Sequence, residues 1–117
     1  MKKLLPLVAT ILLFSFVIIG VSGKASEEED ISKLIETATT AEEHMKIADY
    51  YEKQAAEAER KASFHASMGD SYKNRSKPLA GLANHCSNLS KKYTEAAEEY
   101  RAMAMEHRQM AQETQMQ

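Results

Sequence analysis

Two stretches of the chain repeat small or apolar residues at alternating steps of four and three positions, one from His44 to Tyr72 and one from Leu82 to Ala111. The first series consists of His44, Ala48, Tyr51, Ala55, Ala58, Ala62, His65, Gly69 and Tyr72, and the second of Leu82, Cys86, Leu89, Tyr93, Ala97, Tyr100, Ala104, His107 and Ala111. This spacing puts each series on one face of an α-helix. We therefore predict two long helices, each with a narrow, alanine-rich seam.

Capping and turn residues set the ends of these helices. Thr40 is followed three positions later by Glu43, which is a capping box that predicts the start of the first long helix. We expect that helix to fray between Gly69 and Asn74, and residues 75–78 to form the turn. Pro78 suits the first turn of the second helix, where its missing N–H costs nothing, and that helix is predicted to run to about Thr114.

A short helix is predicted before the two long ones. Ser26 and Glu29 have the spacing of a capping box, and the segment 31–38 carries its apolar residues at helical intervals. Thr39 and Thr40 then interrupt the helical pattern. Because a short turn forces neighbouring helices to run antiparallel, the fold class is all-α: an antiparallel helical hairpin preceded by a short helix, in a single domain over residues 26–117.

Residues 1–25 read as an export segment. Lys2 and Lys3 precede an apolar run from Leu4 to Val21, and small residues near Gly23 and Ala25 suit cleavage by signal peptidase. We expect a bacterial protein that is periplasmic or secreted. The apolar run is long for a signal peptide, so an uncleaved anchor is the alternative, and contact with a membrane would occur only through this segment.

The composition of residues 26–117 narrows the class of function. This part contains 12 Lys and Arg against 17 Asp and Glu, a net charge of −5. It has no basic stripe with interleaved aromatic residues, so we expect no nucleic-acid partner. It also lacks a Ser/His/Asp arrangement, a Gly-rich phosphate loop and a Cys-x-x-Cys-His haem attachment motif, so we do not expect an enzyme.

The predicted core is thin, which favours self-association. At about 25 cal/mol for each Å² of buried apolar area, an alanine seam stabilises a fold much less than a leucine seam. Two hairpins could pack into a four-helix bundle through outer faces that carry Tyr50, Phe64, Met103 and Met105. The expected partner is therefore a second copy, giving a homodimer.

Histidine and methionine recur when the chain is shifted by 42 residues. His65 aligns with His107, Met68 with Met110, and His44 with Cys86. With the turn centred between residues 75 and 76, residues that face each other in the hairpin have numbers that sum to about 151. This pairs His65 with Cys86, and His44 with His107. Two clusters are expected: one near the turn with His65, Met68, His85 and Cys86, and a distal one with His44, Met45, His107, Met110 and Met103.

Imidazole, thiolate and thioether groups together are a soft ligand set that suits copper and, without the methionines, zinc. We therefore predict sequestration or handling of a metal ion, with copper first and zinc second. The predicted ligands are His44, His65, Met68, His85, Cys86, His107 and Met110. Two alternatives remain: a structural or adaptor coiled coil of the cell envelope without a ligand, and a bundle that binds haem non-covalently through histidine or methionine.

Overall fold

The computed structural model describes residues 22–117, and this part of the chain forms three helices and no strand. They are α1 (Ser22–Thr37), α2 (Ala41–Lys73) and α3 (Ala80–Gln115). α2 and α3 pack against each other along their length, and α1 contacts α2. The prediction of an all-helical hairpin with a short N-terminal helix is confirmed. The predicted export segment lies largely outside the described residues, and its cleavage stays a prediction.

The start of α2 confirms the predicted capping box. The Glu43 amide donates to the Thr40 hydroxyl over 3.2 Å, and the Glu43 carboxylate accepts from the Thr40 amide over 3.0 Å. The same carboxylate accepts from the Thr39 amide over 2.9 Å. These backbone hydrogen bonds lower the pKa of Glu43, because they stabilise the charged carboxylate. The three interactions fix the direction in which the chain enters α2.

The turn between the long helices lies where the sequence predicted it. α2 ends at Lys73, where the Asn74 amide donates to the Asp70 carbonyl over 2.9 Å. The Leu79 amide donates to the Tyr72 carbonyl over 3.1 Å and closes the turn. The placement of Pro78 in the first turn of α3 is wrong, because α3 begins at Ala80. Pro78 instead precedes the N-cap residue Leu79, where its ring fixes the φ angle just before the helix.

The predicted start of α1 is also wrong. α1 already includes Ser22, the first described residue, and passes through Ser26, so Ser26 is not the N-cap residue. Nothing between residues 22 and 26 breaks a helix: Gly23 weakens it without ending it. The expected domain boundary after residue 25 therefore lies within a continuous helix. No helix in the described region, 22–117, has the length and apolar character that crossing a membrane requires.

The interface between α2 and α3 is built from small side chains. Its buried apolar residues are Ile47, Ala48, Ala55, Ala58, Ala62, Ala83, Cys86, Ala97, Ala104 and Ala111. Gly69 is also buried, and a Cβ atom at this position would lie 3.4 Å from the Cβ of Cys86 and 3.5 Å from the carbonyl oxygen of Ala83. The two backbones therefore approach closely, and large side chains are excluded from between them.

Polar contacts along one edge of this interface fix the alignment of the helices. Arg101 pairs with Glu59 at 2.5 Å and Arg108 pairs with Glu52 at 2.9 Å. The two pairs are seven residues apart on each helix, so they repeat the same contact one heptad along the hairpin. In addition, the Ser90 hydroxyl donates across the interface to the Ala62 carbonyl over 2.8 Å. An alanine seam alone specifies this alignment weakly, and these polar contacts favour it by a modest amount, because the ion pairs are partly exposed.

Candidate metal site

The predicted pairing of His44 with His107 is confirmed. Their Nδ1 atoms lie 3.1 Å apart across the hairpin, and their ring centroids are 5.4 Å apart. α2 places His44 one turn after its capping box, while α3 places His107 near its C-terminal end. A hydrogen bond between two Nδ1 atoms needs one to carry a proton and the other to carry none. The contact therefore requires at least one neutral imidazole.

Tyrosines from both helices enclose one side of this histidine pair. The Tyr51 ring stacks beside His107 with centroids 6.0 Å apart, and beside Tyr100 with centroids 6.3 Å apart. Tyr50 meets Tyr51 edge-on at 5.4 Å. The aromatic row therefore borders the imidazoles on the side of the middle of the hairpin, and both histidines remain partly exposed.

Burial lowers the pKa of His107, and the charge of the neighbouring His44 lowers it further. The nearby Glu106 acts in the opposite direction, but the effects of burial and of His44 dominate. A lowered pKa keeps the imidazole unprotonated at mildly acidic pH. Since only an unprotonated ring nitrogen can bind a metal ion, the environment of His107 favours a ligand role.

No protein-family model, curated protein or solved structure matches the chain.

The turn-proximal cluster is not brought together in the way the sequence predicted. The His65 ring stacks on Tyr93, with centroids 5.4 Å apart and ring planes 7° apart, while Cys86 lies against the position of Gly69. In this position the Nδ1 atom of His65 is buried without a hydrogen-bond partner.

The other predicted ligands are spread over several faces. Cys86 is buried and unpaired, and its neighbour His85 is exposed. Met68 is half-buried, and Met110 is exposed over 40% of its surface. Within residues 22–117 no three side chains of His, Cys, Asp or Glu come close enough together to hold a metal ion. His44 and His107 are thus the one predicted pair whose contact across the helices the structure describes.

Methionines stand beside that pair along α3. Met103 lies four residues before His107 and Met110 three residues after it, so both share its face of the helix. Sequence reasoning did not assign a role to Tyr51, Tyr93 or Tyr100. These tyrosines occupy the same seams as the histidines, and that position indicated that they would lie beside the imidazoles once the helices pack.

Proposed function

We propose that this chain is a small exported helical-hairpin protein that binds a soft transition metal, copper in preference to zinc, at the His44–His107 pair. One observation carries the proposal: the 3.1 Å between the two Nδ1 atoms. Two imidazoles on one metal ion, each bonded at 2.0–2.1 Å and at 90–110° to one another, have nitrogens about 2.8–3.4 Å apart. The histidines therefore already have the separation of two neighbouring ligands.

The remaining donors near this pair favour copper over zinc. A structural zinc site needs four ligands, mostly thiolate, imidazole or carboxylate. The neighbours that share the face of His107 are thioethers, from Met103 and Met110, and thioethers select Cu(I). Sequestration or transfer of copper outside the cytoplasm fits this donor set. The location rests on the N-terminal segment, whose first 21 residues lie outside the described part.

Haem fits the same pair less well. Two axial histidines bind iron from opposite faces of a macrocycle, so a haem would have to enter between the two rings. The 3.1 Å contact and the alanine seam beside it leave no gap for a macrocycle unless the helices separate. His65, Met68, His85 and Cys86 stay predicted ligands of a second, turn-proximal site that the present arrangement does not assemble.

Metal titration tests the proposal. The chain, purified as the expressing host processes it and stripped with a chelator, is titrated with Cu(I), Cu(II), Zn(II) and haem, following bound stoichiometry and melting temperature. We expect one Cu(I) per chain, and a stabilisation of about 2.7 kcal/mol when free Cu(I) reaches one hundred times its Kd. His44→Ala and His107→Ala should each weaken binding at least about tenfold, as loss of a ligand does.

His85→Ala distinguishes the proposed site from the turn-proximal one, because His85 is an exposed histidine on α3 away from the pair. Equal weakening by His85→Ala and His107→Ala would contradict the proposed site. The absence of binding of any metal, with unchanged melting, would favour the second candidate, a structural or adaptor hairpin. Exposed large apolar side chains, such as Phe64, Leu82 and Leu89, support that candidate independently. We further propose that the hairpin pairs with a second copy into a four-helix bundle.

A further inference from the structure

The hairpin buries mostly small apolar side chains and leaves several large ones exposed. The seam buries mainly alanines, while Phe64, Leu82 and Leu89 are exposed over 59%, 46% and 39% of their surfaces. Single exposed apolar residues are ordinary, but these three are the large ones of the turn end, and α2 and α3 both contribute to them. Whether the three side chains form one surface depends on the helix faces on which they lie.

α1 defines the face on which they lie. Glu27 of α1 pairs with Lys53 of α2 at 3.4 Å, and Lys24 lines one recess together with Glu57 and Lys61. α1 thus runs antiparallel to α2 and covers the half of this face that is distant from the turn. Residues seven positions apart share a helix face, so Phe64, seven after Glu57, continues the face that α1 covers.

α3 contributes the other side of the same surface. Tyr93 and Tyr100 line a groove with Glu57 and Lys61, on the side where α1 lies. Leu89 is four residues before Tyr93, and Leu82 is seven before Leu89, so both lie on that side of α3. Within residues 22–117, α1 does not reach the turn end, and Phe64, Leu82 and Leu89 lie exposed there on one apolar surface, which we call the open groove.

Charge is divided unequally between the two ends of the hairpin. The turn half, residues 61–93, carries six Lys and Arg and one Asp, a net charge of +5. The distal half, residues 22–60 and 94–117, carries seven Lys and Arg and 16 Asp and Glu, a net charge of −9. α1 contributes strongly to the acidic end through residues 27–30, which are all Glu or Asp. The molecule is a rod with a basic end and an acidic end.

We propose that a second copy of this chain covers the open groove, packed antiparallel so that the turn half of each copy lies on the distal half of the other. A two-fold axis makes this contact twice, and each time it joins an apolar, basic surface to an acidic one. A parallel pair would instead set +5 against +5 and −9 against −9. The charge distribution thus selects both the partner and its orientation.

The size of the surface is sufficient for a stable dimer. About 13 residues of each long helix border the open groove, which at 1.5 Å per residue and about 10 Å per helix diameter gives a footprint of roughly 400 Å². Antiparallel pairing adds a similar footprint over the distal half, for about 800 Å² on each partner. That area is typical of a specific protein–protein interface. This inference deepens the proposed self-association and is independent of metal binding.

Sedimentation velocity tests the interface. The chain is purified as the host processes it and run over a range of concentration and salt. We expect a dimer that Leu89→Glu weakens at least about a hundredfold, since it puts a negative charge against the acidic distal half of the other copy. Met105→Glu is the matched control: Met105 is 66% exposed but lies between Arg101 and Arg108, on the opposite edge of α3, so dimerisation should be unchanged. Higher salt should weaken the dimer.

A distance measurement tests the orientation without relying on a destabilising variant. Ser76 lies in the exposed turn, so a spin label is attached to Ser76→Cys in a Cys86→Ala background, and the distance between the labels of the two copies is measured by pulsed electron paramagnetic resonance. Antiparallel packing puts the two turns about 50 Å apart, the length of a 33-residue helix. A parallel dimer would bring them within about 25 Å, close to two helix diameters.

Each other outcome overturns the inference in a distinguishable way. A short distance between the labels leaves self-association standing and removes the antiparallel orientation. Equal loss of the dimer with Leu89→Glu and Met105→Glu removes the open groove as the contact surface. A monomer at high micromolar concentration removes both the inference and the proposed bundle, and leaves the metal site to its own titration. A monomer that binds phosphatidylglycerol vesicles through its basic turn half assigns the groove to an anionic membrane instead.

Discussion

Substitution of Gly69 measures how closely the two long helices approach. A Cβ atom added at Gly69 would meet the Cβ of Cys86 at 3.4 Å and the carbonyl oxygen of Ala83 at 3.5 Å, which are ordinary van der Waals distances. Gly69→Ala therefore fits without moving α3. Because alanine is the better helix former and restricts the unfolded chain, we expect a stabilisation of about 0.5–1 kcal/mol. For a domain of this size that raises Tm by roughly 2–8 °C.

Gly69→Leu should have the opposite effect. Its further three carbon atoms have no space between the backbones, and overpacking of this kind costs about 1–3 kcal/mol. Gly81 supplies the matched control, because it lies in the first turn of α3 and a Cβ atom there has nothing within 4 Å. Gly81→Ala should stabilise to a similar degree, and Gly81→Leu should do no harm.

The assay is thermal and urea unfolding followed by circular dichroism for the four variants and the parent chain. The difference between the two leucine variants isolates the cost of separating the helices, because both make the same change in helix propensity. If Gly69→Leu is as stable as Gly81→Leu, the helices are not in contact at Gly69. If Gly69→Ala is destabilising while Gly81→Ala is not, the backbones are closer than the 3.4 Å contact implies.

Two further predictions concern pH and capping. In the metal-free folded chain the pKa of His107 lies below the 6.5 of the unfolded chain, so the unfolded chain binds more protons. The free energy of unfolding should therefore fall as the pH drops below 6.5. Urea titrations at several pH values should show this slope, and the substitution His107→Gln should remove it. Thr40→Ala should lower the free energy of unfolding by about 1 kcal/mol, because it removes the hydroxyl that accepts from the Glu43 amide. Thr40→Ser retains a hydroxyl and should keep most of that stability, and urea unfolding of both variants measures the difference.

Local signals in the sequence predicted the parts of the fold that depend on a few neighbouring residues. Thr40 and Glu43 specify their own cap, and Pro78 marks the turn because it has no N–H to donate and disfavours a helical conformation of the residue before it. The prediction that α1 starts at Ser26 was wrong, because Ser26 has the spacing of a cap but no residue from 22 to 25 stops the helix. A capping pattern predicts a start only where the preceding chain leaves the helical conformation.

The two predicted pairings across the hairpin stand differently. Numbers that sum to about 151 correctly placed His44 opposite His107, near the end of the hairpin. For His65 the structure describes a stacking contact with Tyr93, and its pairing with Cys86 stays a prediction. A facing position predicts which parts of the two backbones lie opposite each other, but not the direction in which a long side chain turns. The stacking of His65 on Tyr93 depends on that direction, which a heptad pattern does not contain.

The uniformity of the alanine seam has a mechanical consequence for the histidine pair. Alanines recur at such regular intervals that sliding α3 along α2 by one heptad would still bring small side chains together. In such a slipped state His44 would face Tyr100 or Thr114, and no second imidazole would be within reach. An ion bound by both His44 and His107 would therefore allow only one axial alignment of α3 against α2. Metal loading would then reduce the axial freedom of the helices even where it changes no other contact.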